Sequence, residues 1–237
     1  MSNAILSIIG SSSKGNGYLL TCNSQSLILE CGTPVKDVLS RLNWHLENVV
    51  GCLATHEHND HIGHIKQYLD YGLPVYSNAD VVQKHKGVQE LKPMMKYFIG
   101  GFTVVPLSVP HGDCPNYAYY IKMPDGQTLV FATDLTQFPY KLTNINHLLI
   151  EANYSDDIRV EALLNGAQLR SQSICHMELN KTIETIKQLA RPHSILCHLS
   201  DGLSDEQMFK SRIFTELGIH AEIATAGAVF ELTTEDF

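Results

Sequence analysis

Thr55-His56-Glu57-His58-Asn59-Asp60-His61 stands directly behind the apolar run Val49-Val50-Gly51-Cys52-Leu53-Ala54. The run reads as a buried strand, and Ile62-Gly63-His64-Ile65 begins a helical pattern, so the motif occupies a strand-to-helix loop where side chains can converge. Imidazole suits zinc and its first-row neighbours, and carboxylate adds a harder oxygen ligand. His56 and His58 are one residue apart and point the same way in extended backbone, so they can grip one ion. Asp60 and His61 point elsewhere, towards a second. A His-rich surface loop is the competing reading, but such tracts have no need of an ordered carboxylate or a buried strand in front. His64, one turn further on, reads as surface or support rather than ligand.

The 237 residues suffice for one domain, taken as 1–237, and 44% hydrophobic with 18% charged residues is ordinary globular composition. A net charge of −8 argues against a broad basic face for nucleic acid. It does not exclude a nuclease, because bound divalent ions bring positive charge to a site. None of the six cysteines forms a C-x-x-C pair, and most lie in apolar runs, which predicts reduced core residues of a cytoplasmic protein. No apolar run reaches membrane-spanning length, so no membrane partner is expected. No exposed stripe marks an interface, which leaves a homodimer open.

Strands are predicted at Ala4–Ile9, Tyr18–Cys22, Ser26–Cys31, Val49–Thr55, Val75–Ser77, Phe102–Val109, Asn116–Met123, Thr128–Ala132, His147–Ala152, Ser194–Leu199, Glu222–Ala224 and Ala228–Leu232. Helical spacing covers Asp37–Leu42, Ile62–Tyr71, Asp80–Lys86, Ile158–Leu169, Leu179–Leu189 and Asp205–Leu217. Gly10-Ser11-Ser12-Ser13-Lys14-Gly15-Asn16-Gly17 reads first as a hairpin turn and second as a phosphate-binding loop, with Ser12 the candidate substrate contact. Many strands with helices throughout imply an α/β (α+β) protein of two packed sheets with helices outside.

A two-ion site needs further ligands, and strand ends are where a scaffold presents them. His111 follows the strand Phe102–Val109, Asp134 follows Thr128–Ala132, and His198 lies late in Ser194–Leu199. With these residues the sequence resembles the metallo-β-lactamase fold superfamily, which carries His-x-His-x-Asp-His after a strand, then a lone His, an Asp and a final His. The resemblance implies a four-layer αββα sandwich of two mixed β-sheets and two divalent metal ions, Zn, Mn or Fe. It places His56, His58 and His111 on one ion, Asp60, His61 and His198 on the other, and Asp134 between them. The Gly-Ser-Ser-Ser-Lys-Gly-Asn start, Thr133-Asp134, Glu151-Ala152-Asn153-Tyr154 and His198-Leu199-Ser200 are similar to the WalJ/YycJ-type hydrolases, relatives of tRNase Z and the PhnP-type phosphodiesterase. The sequence departs from that branch at Cys175-His176-Met177-Glu178-Leu179-Asn180, which has one extra residue between His and Asn, and at Thr136, where Gly is common.

The expected chemistry is hydrolysis of a nucleic-acid or nucleotide phosphodiester, most simply as a DNA exonuclease, by a water ionised between two ions. Asp60 and His176 are the candidate catalytic groups, with His176 the proton donor to the leaving oxygen. Asn153 and Asn180 are candidate substrate contacts or supports for metal ligands. Two alternatives share the site: a phosphodiesterase of a small cyclic nucleotide or cyclic phosphate, and a lactone, thioester or β-lactam hydrolase. A non-catalytic nucleotide binder would not need a complete ligand set.

Overall fold

The computed structural model describes residues 4–112, 114–168 and 175–233. One sheet holds β1 (Ala4–Gly10), β2 (Gly17–Cys22), β3 (Gln25–Leu29), β4 (Val49–Leu53), β5 (Val75–Ser77), β6 (Gln89–Glu90) and, from the far end of the chain, β14 (Val229–Leu232). Its order is β14-β1-β2-β3-β4-β5-β6. The second holds β7 (Tyr97–Ile99), β8 (Phe102–Val109), β9 (Asn116–Lys122), β10 (Thr128–Ala132), β11 (His147–Glu151), β12 (His193–Cys197) and β13 (Glu222–Ile223), in the order β13-β12-β11-β10-β9-β8-β7. Both sheets are mixed. Pairing is antiparallel from β14 to β3 and from β7 to β10, and parallel from β3 to β6 and from β10 to β13.

The period-two alternation of strand side chains sets the layers. Leu27 and Leu29 of β3, Leu129 and Phe131 of β10 and Leu149 of β11 meet between the sheets. The intervening residues face outward onto helices. Ile28 packs in a cluster with Val35, Val38 and Leu39 of α1 (Val35–Arg41). Val130, Leu148 and Ile150 pack with Ile183 and Ile186 of the later helix over Leu179–Gln188 and with Phe209 and Ile213 of that over Glu206–Leu217. With both faces covered, β10 and β11 are buried at every position, which is why they read as unbroken apolar runs. The expected four-layer sandwich is the fold.

Two helices differ from expectation. The pattern over 62–71 is two short helices, α2 (Asn59–Ile62) and α3 (Ile65–Asp70), so the first turn begins inside the histidine motif. The break falls where the Gly63 N–H donates to Asn59 O and the His64 N–H donates to Cys31 O. After α4 (Ala79–Lys84), the helix expected at 158–169 is α5 (Asp156–Leu164). It ends ahead of Gly166, whose φ of +83° is left-handed, and Leu169 lies outside the described residues. None of its residues is buried, which explains its weak periodicity. The last helices are α6 (Leu179–Gln188) and α7 (Glu206–Leu217). β6 and β7, two and three residues long, have no counterpart among the expected strands.

Candidate metal centre

Chain segments leaving the strands meet at one end of the sandwich. His56 follows β4, His111 follows β8, Asp134 follows β10 and His198 follows β12. Asp134 (φ +52°) and His198 (φ +53°) both sit in the left-handed region, as does Glu30 (φ +67°) just after β3. Non-glycine residues adopt it rarely, and such positions concentrate where structure holds a functional geometry. The loop is also sterically locked. A Cβ on Gly32 would lie 1.7 Å from the Asp60 carbonyl oxygen, so only glycine lets the chain after β3 pass there.

Asp134 lies at the centre and is buried. Its Oδ2 is 3.7 Å from His56 Nε2 and 3.8 Å from His111 Nε2, and His111 Nε2 is 3.1 Å from His58 Nδ1. Its Oδ1 is 3.3 Å from His61 Nε2 and 3.5 Å from His198 Nε2. Asp60 Oδ2 closes the second group, 3.3 Å from His61 Nε2 and 3.2 Å from His198 Nε2. The two oxygens of one carboxylate thus face two groups, His56-His58-His111 and Asp60-His61-His198. Among the described residues each group, with Asp134, has ligand atoms close enough to hold one metal ion. The expected set therefore converges, with the division the resemblance implied.

The donors fit divalent ions. His56 Nε2 is buried with no hydrogen-bond partner, an orphaned lone pair directed into the cluster. His58 Nδ1 and His111 Nε2 face one another across a distance at which one ion can replace a hydrogen bond. Burial and the neighbouring His61 hold His56 well below the usual imidazole range, which favours the neutral form that can bind a metal. Burial would push Asp134 up, but His198 and His61 hold it well below the usual carboxylate range, and it stays ionised.

Two buried carboxylates stand behind these groups. Glu30 Oε1 is 3.3 Å from His61 Nδ1, while Glu30 Oε2 accepts from the Thr55 N–H. Glu151, the last residue of β11, lies 2.7 Å from His176 Nδ1 and 3.3 Å from His198 Nδ1 through Oε1. Its Oε2 accepts the N–H groups of Leu135 and Met177. His176 Nδ1 is also 3.9 Å from Asp134 Oδ2. Burial pulls the His176 pKa down, but Glu151 and then Asp134 outweigh it, and the pKa is raised. Asp134, His176 and His198, with His58, Asp60, His111, Cys175 and Gly112, line a cleft of about 540 Å³.

The other residues singled out in the sequence are less directly placed. Ser12 Oγ accepts from the Lys14 N–H, and its neighbour Ser13 lines the cleft. The Gly-Ser loop joins β1 to β2 as a hairpin, but it also supports the metal loop: Asn16 Nδ2 is 3.3 Å from Asp60 Oδ2, and Ser11 Oγ accepts from the His198 N–H. Asn153 Nδ2 donates to the His198 carbonyl and lies 3.2 Å from His198 Nδ1, so it supports a ligand. Asn180 is occupied by Glu178 and by Arg212, which donates to its Oδ1. His64 Nδ1 pairs with Gln67, away from the groups. Glu30 escaped the sequence reading, and Glu151 entered only as part of a motif. The missed signal is common to both: a glutamate closing an apolar strand, Leu27-Ile28-Leu29-Glu30 and Leu148-Leu149-Ile150-Glu151.

Residues 33–199 match the family model of the beta-lactamase superfamily domain. The chain is 24% identical over 206 residues to an octanoyltransferase of Porphyromonas gingivalis, covering 77% of this chain and 38% of that one. It is 26% identical over 180 residues to the exodeoxyribonuclease WalJ of Streptococcus pneumoniae, covering 68% of this chain and 65% of that one. The chain thus spans less than two thirds of the length of either curated relative. Among solved structures, the metallo-β-lactamase fold protein YhfI of Bacillus subtilis superposes with a TM-score of 0.79 at 21% identity, over 97% of this chain and 100% of that one. The matched segment runs from the turn after β3 to the strand end at His198, taking in the whole two-group cluster, and on that ground the chain belongs to the metallo-β-lactamase fold superfamily.

Proposed function

We propose that the chain is a dinuclear-metal-dependent phosphodiesterase, with Zn or Mn as the ions. The carrying observation is the Glu151–His176 pair beside Asp134. His176 commits Nδ1 to Glu151 at 2.7 Å, which leaves Nε2 without a hydrogen-bond partner among the described residues, on a ring that lines the cleft. Against the lowering effect of burial, Glu151 and Asp134 raise its pKa, so the ring holds its proton to higher pH than an ordinary imidazole, and Glu151 fixes its orientation. It can give that proton to an alkoxide leaving a phosphorus centre, a step that a thioester, whose thiolate leaves unprotonated, needs less. The two groups would hold divalent ions, which when bound would supply Lewis acidity towards a phosphoryl oxygen and a nucleophile at neutral pH. Asp60 and Asp134 would be the anionic ligands that hold them.

The likeness to WalJ supports DNA as the polymer to try first. One observation favours a second reading, a small diester such as a cyclic nucleotide: no Lys or Arg is among the described residues lining the cleft. A strand track normally uses such residues, and its binding falls steeply with salt.

The test is hydrolysis of bis(p-nitrophenyl) phosphate with zinc and manganese supplied separately. Metal-dependent turnover is expected; His176→Ala should lower turnover of an unactivated diester such as linear DNA, whose alkoxide needs a proton as it leaves, about 10²- to 10⁴-fold with metal content intact, and that of the p-nitrophenyl ester far less. Asp134, Glu151, His176 and His198 could themselves hold an ion. Loss of metal from His176→Ala would therefore make His176 a ligand and end its role as acid. Comparing linear DNA with a cyclic nucleotide across salt concentrations then separates the two substrate readings.

A further inference from the structure

The two groups differ in what stands behind their histidines. In the His56-His58-His111 group the rear partners are neutral. His56 Nδ1 is 2.9 Å from the Thr55 hydroxyl, and His111 Nδ1 is 3.1 Å from the Cys175 carbonyl oxygen. In the Asp60-His61-His198 group each histidine has a buried carboxylate behind it, Glu30 at 3.3 Å from His61 Nδ1 and Glu151 at 3.3 Å from His198 Nδ1, where the neutral Asn153 amide also lies at 3.2 Å. Among the described residues neither Glu30 Oε1 nor His61 Nδ1, both buried, makes a hydrogen bond, and the ion-pair contact between them at 3.3 Å is the interaction each has. The front of this group is also more anionic. It has Asp60 as well as a share of Asp134, whereas the first group has only the share.

A carboxylate behind an imidazole fixes its tautomer and makes the opposite nitrogen a stronger donor, and buried negative charge attracts a cation directly. We propose that the cluster consists of two unequal sites: the Asp60-His61-His198 group, backed by Glu30 and Glu151, holds its ion the more tightly, and the His56-His58-His111 group is the one that exchanges. The proposal rests on the two-ion reading above but makes a separate claim about order. It gives the molecule an exchangeable position on the side of His58, which is exposed, and a resident one on the side of the buried His61.

The test uses the full chain loaded with Zn²⁺ and dialysed against graded concentrations of a competing chelator, with bound zinc counted at each step. Wild type should pause at one equivalent. His58→Ala should retain that equivalent at wild-type strength, and Asp60→Ala should lose it at the lowest chelator concentrations. Glu30→Gln, nearly the same shape without the charge, should weaken the retained equivalent about 10- to 100-fold, while Thr55→Val leaves it unchanged. Circular dichroism checks that each variant is folded. If Glu30→Gln is not, the His58→Ala and Asp60→Ala pair decides alone. Retention of the tight ion by Asp60→Ala and its loss from His58→Ala, or release of both ions in one step, overturns the proposal and leaves the two-ion reading standing. A wild-type chain that takes up no zinc overturns both.

Discussion

The strands β11 and β12 carry a histidine cluster at each end, and the two clusters behave as opposites. At the beginning, His147 Nδ1 lies 3.1 Å from His193 Nδ1, His147 Nε2 lies 2.7 Å from Gln127 Oε1, and His193 Nε2 lies 2.6 Å from Glu222 Oε2. Each ring nitrogen has a partner within hydrogen-bond distance; with Gln127 and Glu222 accepting from the two Nε2–H groups, the contact between the Nδ1 atoms becomes a hydrogen bond when one ring carries a second proton. At the other end, beyond Glu151 and Cys197, His56 Nε2 has no partner, and ionised Asp134 is faced by imidazoles on both sides. Native interiors pair their buried polar groups, and a cluster that leaves them unpaired needs an outside explanation. Histidine proximity alone therefore does not mark a site. What marks it is surplus lone pairs with carboxylates between them.

The sharpest way to break this contrast is Asp134→Asn. Asparagine tolerates the left-handed backbone at φ +52°, so circular dichroism should not change. The charge facing both groups is lost, and turnover of the diester should fall by about 10³-fold or more, together with bound metal. A variant with full turnover would show that Asp134 does not join the two groups and that the cluster is only another buried polar network.

Much of this was legible in the sequence, for reasons that can be named. The ligand set was visible because metal binding demands particular side chains at particular spacings, and His56-x-His58-x-Asp60-His61 states them locally. The layers were visible because β3, β10 and β11 are apolar on both faces. What escaped depended on contacts distant in sequence. The support of Asn16 for Asp60 spans 44 residues and that of Ser11 for His198 spans 187. The left-handed conformations of Glu30, Asp134 and His198 have no glycine to announce them. The split of the helix after the motif follows from the His64 N–H turning to Cys31, a tertiary hydrogen bond that overrides local spacing. Asn180 looked available as a substrate contact because the sequence does not show Arg212 reaching it.

The second break is made with acid. Burial first, and then His193, lower the His147 pKa from 6.5 to about 4. In the unfolded chain His147 takes up its proton as pH falls below about 6.5, while in the folded chain it does so only near 4. The unfolded state binds more protons between those values, so stability is lost as pH falls from 6.5 to 4, and the loss levels off below. The shift sets an upper limit of about 3 kcal/mol for this one group. His147→Leu removes the titration and leaves the metal centre at the opposite strand end alone. Acid loss from that centre is common to both proteins, so the difference between their denaturant midpoints isolates the histidine. Equal slopes with pH would show that His147 is not held neutral by its surroundings.

The smallest effect is the same variant at pH 7, and it sets the two strand ends against each other directly. Leucine nearly fills the volume of the ring but offers nothing to His193 Nδ1 or Gln127 Oε1. Gln127 is only half-buried and can turn to water, so the main cost is the one histidine nitrogen, about 1–2 kcal/mol. Metal content and diester turnover should not change, because no ligand is touched. Since wild type loses stability towards pH 4 that the variant does not, the two stability curves should converge below pH 6.5, and they cross if the acid loss exceeds the cost at neutral pH. Loss of metal from His147→Leu at pH 7 would mean that the two ends of β11 and β12 are coupled through the strands, and that the paired cluster helps to set the unpaired one.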